Sequence, residues 1–263
     1  MSQTYAEPFE VIVADNGSTD DTPKLVSSFF ASLPGLRIVD ASGTKGAGFA
    51  RSFGAASTNA PIIAYCDADD VASPGWLGGL MTAICHADLV GGVLEHRLLN
   101  DASYRIWRGE ETTRQLARPL QFLEYAISAN MAVRKHVVTD IGWSDEFPYG
   151  GDDVDFSWRA QIAGYQIAFA HEATMHYRHR PTVKEVRRQA YTYGRAEPRL
   201  YAKFKEAGAR PNSTCDVLQR YWYVLTRLPY LALGKRRRGL WCAVTAGVVG
   251  RARASFELRV ICL

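Results

Sequence analysis

The stretch Pro61-Ile62-Ile63-Ala64-Tyr65-Cys66-Asp67-Ala68-Asp69-Asp70 decides how this chain is read. Its first six residues are a short apolar run, and the acidic residues behind them stop it, so a buried strand is predicted to end at Cys66. Three carboxylates crowded at the end of such a strand repel one another and have no use in a core. They become useful around a divalent cation, because hard cations take oxygen ligands and bridge carboxylates to phosphates. In open α/β sheets, ligands bind beyond the carboxyl ends of the strands, so position and chemistry agree. The competing reading is a solvated acidic turn in which Asp70 or Ser73 caps the next helix. The stretch alone does not choose between the two.

Outward from it, strand and helix signals alternate. Residues 9–14 read as a strand, followed by a helical stripe of Leu25, Val26, Phe29, Phe30 and Leu33 that Pro34-Gly35 ends. Residues 36–39 are the next strand, then come a glycine-rich turn and a small-residue helix through Arg51. Beyond the acidic run a helix is predicted to open at Ser73-Pro74, with Trp76, Leu77, Leu80, Met81 and Ile84 on one side. Residues 89–93 and 127–133 are further strands. A helix begins near Val154 and ends at Gly164, and residues 166–170 form a last short strand. This rhythm predicts an α/β fold with a parallel or mostly parallel sheet between helices. Residues 95–118 are polar and read as a loop or edge over the site.

The chain has 263 residues, 47% of them hydrophobic and 22% charged, a composition ordinary for a globular protein. Five scattered cysteines without a CxxC pair argue against a zinc site or a disulfide framework and fit a reducing compartment. The start lacks the features of a signal peptide, and no apolar run is long enough to span a bilayer. The net charge of +4 is uneven, with the excess after residue 178. That skew suits an anionic surface, lipid or nucleic acid, or else a solvated face.

A second acidic cluster, Gly150-Gly151-Asp152-Asp153-Val154-Asp155, sits where the later helix starts. Carboxylates are favoured at helix N-termini, but capping needs only one. A carboxylate facing a substrate hydroxyl acts as a general base, and a neighbouring charge raises its pKa into a useful range. Asp155 and Arg159, four apart, read as a structural pair. His171, His176 and His179 match no zinc spacing, yet one of them, placed after a strand, could complete a metal site. Lys45-Gly46-Ala47-Gly48 with Arg51 forms a basic turn at a helix start that suits phosphate.

Taken in order, Asp15-Asn16-Gly17-Ser18-Thr19-Asp20, Asp67-Ala68-Asp69-Asp70, Asn130-Met131-Ala132-Val133-Arg134 and the run from Gly151 to Arg159 resemble family 2 glycosyltransferases. These are inverting enzymes of the GT-A fold that use nucleotide-diphosphate sugars. The resemblance spans roughly residues 2–180. It implies that Asp15 contacts the nucleobase, that Asp67 lies near the ribose and that Asp69 binds Mg²⁺ or Mn²⁺, with Asp67 and His176 as further metal contacts. It places the catalytic base at Asp153, with Asp152 where a Glu is more usual, and Lys45 or Arg51 near the pyrophosphate. The implied partners are a nucleotide-diphosphate sugar and a glycan, lipid-linked or other hydroxyl acceptor, in cell-envelope or polysaccharide synthesis. Nucleic acid is not expected.

Family members open with a strand–helix unit of about 20 residues that has no counterpart here, and its absence predicts two neighbouring exposed strand edges. A misassigned start or fragment, a decayed gene product and a shortened variant are the three readings. The resemblance divides the chain into a transferase domain at 1–181 and a helical region at 182–263. In the latter, the stripe Leu218, Tyr221, Trp222, Leu225 and Leu228 and the stripe Leu240, Trp241, Val244 and Val248 flank Lys235-Arg236-Arg237-Arg238. This pattern is that of interfacial helices or of a lid packed on the sheet. The corresponding location is cytoplasmic, at or near the inner face of a membrane. The alternative function is a non-catalytic remnant or binding module that keeps the fold without a complete nucleotide pocket. A phosphatase with an Asp-x-Asp nucleophile fits less well, because Asp70-Val71-Ala72 follows where a hydroxyl residue is needed.

Overall fold

The computed structural model describes residues 3–101, 112–147 and 150–262, so positions 102–111 of the polar segment lie outside it. Strand β1 (Val11–Asp15) is followed by α1 (Thr22–Ser27), β2 (Leu36–Asp40), α2 (Ala47–Ala56) and β3 (Ile62–Cys66). Next come β4 (Val71–Ala72), α3 (Trp76–Ile84), β5 (Leu89–Glu95), β6 (Asn130–Arg134), α4 (Lys135–Ile141) and α5 (Asp152–Ile162). The chain continues with β7 (Ile167–His176), α6 (Val183–Phe204), α7 (Thr214–Thr226) and α8 (Gly234–Leu258).

β1 and β2 pair in parallel as a two-stranded sheet, while the main sheet runs β3-β6-β5-β7-β4. β1 and β3 thus lie in separate sheets, each paired on one side only among the described residues. β5 and β7 are parallel, whereas β6 is antiparallel to both β3 and β5, and β4 is antiparallel to β7. The main sheet is therefore mixed, a correction to the mostly parallel sheet expected from the strand–helix rhythm. The cause is the connection from β5 to β6. No crossover helix returns the chain among the described residues of 96–129, so β6 starts at the end where β5 stops and runs back.

The pleat sends alternate side chains to opposite faces. Ile63, Tyr65, Leu89, Met131 and Val133 pack against α4 and α5, on Val137, Val138, Phe156 and Trp143. Val90, Leu94, Ala132, Ala170 and Met175 pack on the other side against Trp76, Leu77, Leu80 and Ile84 of α3. The stripe anticipated for α3 is that buried face. Its start is not: the helix begins at Trp76 behind Gly75, with no side-chain cap. The stripe anticipated on α1 behaves differently. The helix ends at Ser27, and Leu25, Phe29 and Phe30 are exposed.

β7 extends past the predicted end at Ala170 because a bulge interrupts its register. Gly92 faces Ala170 but Val93 faces Thr174, so residues 171–173 have no partner on β5. Downstream, α6 and α8 cross at backbone contact. A Cβ on Gly194 would strike the Gly247 carbonyl, and one on Gly250 would strike that of Tyr191.

Candidate active site

Between β3 and β4 the chain turns within four residues, with the Asp70 amide donating to the Asp67 carbonyl at 3.3 Å. β4 then pairs with the end of β7, Val71 opposite His176. This turn gathers one oxygen each from Asp67, Asp69 and Asp70 within 4.8 Å of one another. Neither Asp70 nor Ser73 caps α3, so the capping role expected of one of them is not found. Asp70 Oδ1 accepts from the Arg178 amide at 2.8 Å, while its buried Oδ2 has no hydrogen-bond partner among the described residues. Burial, against the pull of that amide, and the charges of Asp67 and Asp69 push the Asp70 carboxyl up to about 7. Three convergent carboxylates with one orphaned oxygen form a donor set that fits a hard divalent cation. Arg180 Nη1 meets Asp69 Oδ2 at 2.7 Å, and Arg178 Nε donates to the Asp69 carbonyl at 2.9 Å.

The second cluster begins with Gly150 at φ 133° and Gly151 at φ 91°, conformations that L side chains rarely adopt. Gly151 is the residue before α5, and no side chain caps the helix. Asp152, Asp153 and Asp155 are therefore released from capping. Asp155 is fully buried between Arg159 Nε at 2.7 Å and Lys203 Nζ at 2.8 Å, a structural triad. Asp152 is gripped by Arg51 Nη1 at 2.6 Å. Burial raises its pKa and Arg51 partly offsets that. Asp153 receives only backbone amides, from Val154 at 2.9 Å and Ser128 at 3.4 Å. Burial and then the charge of Asp152 push its carboxyl up to about 7. Burial thus raises both members of the Asp152–Asp153 pair, and Asp153, not held by an ion pair among the described residues, lies in the range of a base near neutrality.

Arg51 joins the two clusters. Its Nη2 lies 3.3 Å from Asp67 Oδ1 while Nη1 holds Asp152, and its guanidinium stacks over Trp143 at 5.2 Å. The expected phosphate-facing cation is thus a bridge between carboxylates. Asp15 ends β1 and accepts from the Ser18 amide at 3.0 Å. Its neighbour Asn16 ties this end to the basic turn, donating to the Thr44 carbonyl at 2.7 Å and accepting from the Gly46 amide at 2.9 Å. Lys45, exposed on that turn, lines a small cavity with Phe49, Ser144 and Phe147.

His176 is not gathered with the three aspartates. Its Nδ1 meets Glu95 Oε2 at 2.8 Å, across the parallel β5–β7 register. Glu95, Arg178 and Arg180 are site residues that pattern reading did not single out. Asn130, the first residue of a motif the sequence did single out, is a hub. Buried at the start of β6, it accepts from Trp76 Nε1 at 2.8 Å and donates to the carbonyls of Val93 and Ala173, each at 2.9 Å. The motif marked its position, and its role follows from an amide in an otherwise apolar strand, since such a residue must find partners when buried.

The class is that of α/β domains with one acidic cluster behind a strand of a mixed sheet and a second at the start of a helix. The model of the family described as Glycosyl transferase family 2 matches residues 1–142, more than half of the chain. The chain belongs to that family. Glycosyltransferase AglE of Haloferax volcanii is 32% identical over 174 residues, which cover 65% of this chain and 57% of that protein. The chain thus spans little more than half of that relative's length. The mannosyltransferase PcManGT from Pyrobaculum calidifontis, in complex with GDP-Man and Mn²⁺, aligns with a TM-score of 0.57 and 17% identity over 92% of this chain and 77% of its own. S. aureus TarS in complex with UDP-GlcNAc aligns at 0.53 and 16%, over 98% and 86%. At such identities the likeness carries the fold, which is GT-A.

Proposed function

We propose that the chain transfers a sugar from a nucleotide-diphosphate donor to an acceptor hydroxyl with inversion, and that Asp153 is the general base. The observation that carries this reading is the contrast within one helical turn. Asp152 is ion-paired to Arg51 and Asp155 to Arg159 and Lys203, whereas Asp153 accepts from backbone amides and has no ion-pair partner among the described residues.

Asp153 takes the acceptor's proton as the hydroxyl oxygen attacks the anomeric carbon. The bond to the diphosphate breaks on the opposite face, so a single displacement inverts the configuration. Asp67, Asp69 and Asp70 would hold Mg²⁺ or Mn²⁺, with His176 close by through the pairing of β4 and β7. When bound, the ion supplies charge neutralisation of the leaving diphosphate. Arg51 keeps Asp67 and Asp152 apart from each other's charge. Asp15 and Lys45 serve the nucleotide, and the acceptor is a glycan or lipid-linked hydroxyl at the inner face of a membrane.

The test is release of nucleoside diphosphate from a panel of nucleotide sugars with Mn²⁺ or Mg²⁺. Asp153→Asn and Asp69→Ala are each expected to lower turnover by about a hundredfold or more. Turnover within a few-fold of the parent in Asp153→Asn removes the assignment of the base. Absence of both turnover and metal-linked nucleotide binding by calorimetry returns the chain to a non-catalytic remnant or binding module.

A further inference from the structure

The geometry points to a second function for the C-terminal region: α7 and the turn after it form a docking surface for an anionic lipid leaflet. α7 is inverted relative to an ordinary surface helix. Leu218, Trp222 and Leu225, at spacings of four and three, are 64%, 69% and 61% exposed, and Tyr221 stands beside them. A helix normally turns such a stripe to the core. Here the opposite side is already engaged. Val217, Tyr223 and Val224 are partly buried, and Trp241 Nε1 of α8 donates to the Val224 carbonyl at 2.8 Å. The helix is therefore held with its apolar stripe outward. Leu228, Leu231 and Leu233 extend the same exposed surface past Pro229. Contiguous apolar surface of this kind marks an interaction site.

Charge selects the occupant. No Asp or Glu lies between Asp216 and Glu257, an interval that carries Arg220, Arg227 and the run from Lys235 to Arg238, while its Arg251 and Arg253 are taken up by Glu197 and Glu257. On the other side of α7 from the stripe, the Arg227 guanidinium stacks on Tyr223 at 5.3 Å and on Tyr230 at 5.6 Å, and Arg237 stacks on Tyr230 at 5.6 Å. An outward apolar ridge on a helix whose other side carries tyrosine-stacked arginines is the amphipathic pattern of an interfacial helix: apolar side chains toward the acyl chains, aromatic rings and cations toward the anionic headgroups. A protein partner needs no such layering. No helix of the described residues is long and apolar enough to cross a membrane, so the contact is peripheral. This inference does not rest on the transferase reading.

The experiment uses the full chain with sedimenting vesicles of phosphatidylcholine alone or mixed with phosphatidylglycerol, at low and high salt. Association with the anionic vesicles alone is expected, weakened by salt. The double variant Trp222→Ser, Leu225→Ser alters only exposed side chains and is expected to lower partitioning at least about tenfold, with unchanged circular dichroism and unchanged nucleotide-sugar turnover. Arg237→Gln with Arg238→Gln is expected to reduce the salt dependence. Equal partitioning to both vesicle types, absence of binding, or binding unaffected by the double variant overturns the proposal. So does a dimer in light scattering that the double variant dissociates while vesicles bind neither form.

Discussion

Replacing Asn130 with Ala tests the reasoning about how this site is held, because three hydrogen bonds end on one side chain that is 1% exposed. The substitution removes an acceptor from the Trp76 indole and two donors from the carbonyls of Val93 and Ala173. Each bond is worth about 1 kcal/mol net, and each group left buried without a partner costs about 1–3 kcal/mol, less where water or a neighbour reaches it. A loss of about 3–5 kcal/mol is expected in urea unfolding, with a drop in Tm on the order of 10 °C. Asn130→Asp keeps the shape but sets a carboxylate against two carbonyls, and is expected to cost at least as much. Trp76→Phe orphans only the Asn130 oxygen and should cost about 1–2 kcal/mol, and the double variant should fall short of additivity. The consequence reaches the site, because Ala173 belongs to the bulge through which β7 continues to His176, Arg178 and Arg180. A loss below about 1 kcal/mol for Asn130→Ala at unchanged denaturant slope would refute the hub.

Four further outcomes are expected. Asp153 is useful as a base only when ionised, so turnover at saturating donor should rise with pH through about 7, and a profile flat from pH 5 to 9 contradicts the role. By the same shift, the folded chain keeps a proton that the unfolded chain has lost between the ordinary Asp range and about 7. Stability therefore falls as pH rises through that window, and Asp153→Asn should raise the unfolding midpoint at pH 8 while abolishing transfer. Arg51→Lys cannot reach two carboxylates with a fork of donors, so kcat/KM should fall at least about tenfold with little rescue relative to Arg51→Met, read by steady-state kinetics. Gly194→Val forces apart a backbone crossing and should cost about 3 kcal/mol or more, whereas Gly78→Ala on α3, with nothing within 4 Å of its new Cβ, should gain about 0.5–1 kcal/mol, both measured by denaturation.

The strand–helix order was legible because burial and pattern coincide. In β3 and β6 the alternation of Ile63, Tyr65, Met131 and Val133 against Ile62, Ala64 and Ala132 follows the two faces of the sheet. Strand direction was not legible, since β6 carries the same apolar code whichever way it runs. The second half of β7 escaped because three bulged residues, His171, Glu172 and Ala173, break the period that pattern reading depends on. α1 misled in the opposite sense: helical spacing alone is silent on what the stripe of Leu25, Phe29 and Phe30 will meet, and it meets solvent. At the site, the acidic residues announced themselves by their density. Glu95, Arg178 and Arg180 did not, because their meaning lies in pairings between residues 81 to 111 positions apart.

The run Asp152-Asp153-Val154-Asp155 shows how one dense motif is divided among tasks by helix geometry. Successive residues on an α-helix turn by about 100°, so three carboxylates within four positions face three environments. Asp152 turns to α2, where Arg51 waits, and Asp155 turns to the interior, where Lys203 of α6 completes its pairing. Asp153 turns to the other side of Asp152 from Asp155, toward the Ser128 amide ahead of β6. Its raised proton affinity therefore depends on its neighbours being satisfied elsewhere: with Arg51 removed, Asp152 would compete for the same proton. The pair would then titrate jointly, and the rising limb of the pH profile in Arg51→Met should broaden over more than one unit. A limb unchanged in position and steepness would mean that Asp152 and Asp153 do not share their field, and the assignment of the base from their contrast would fail.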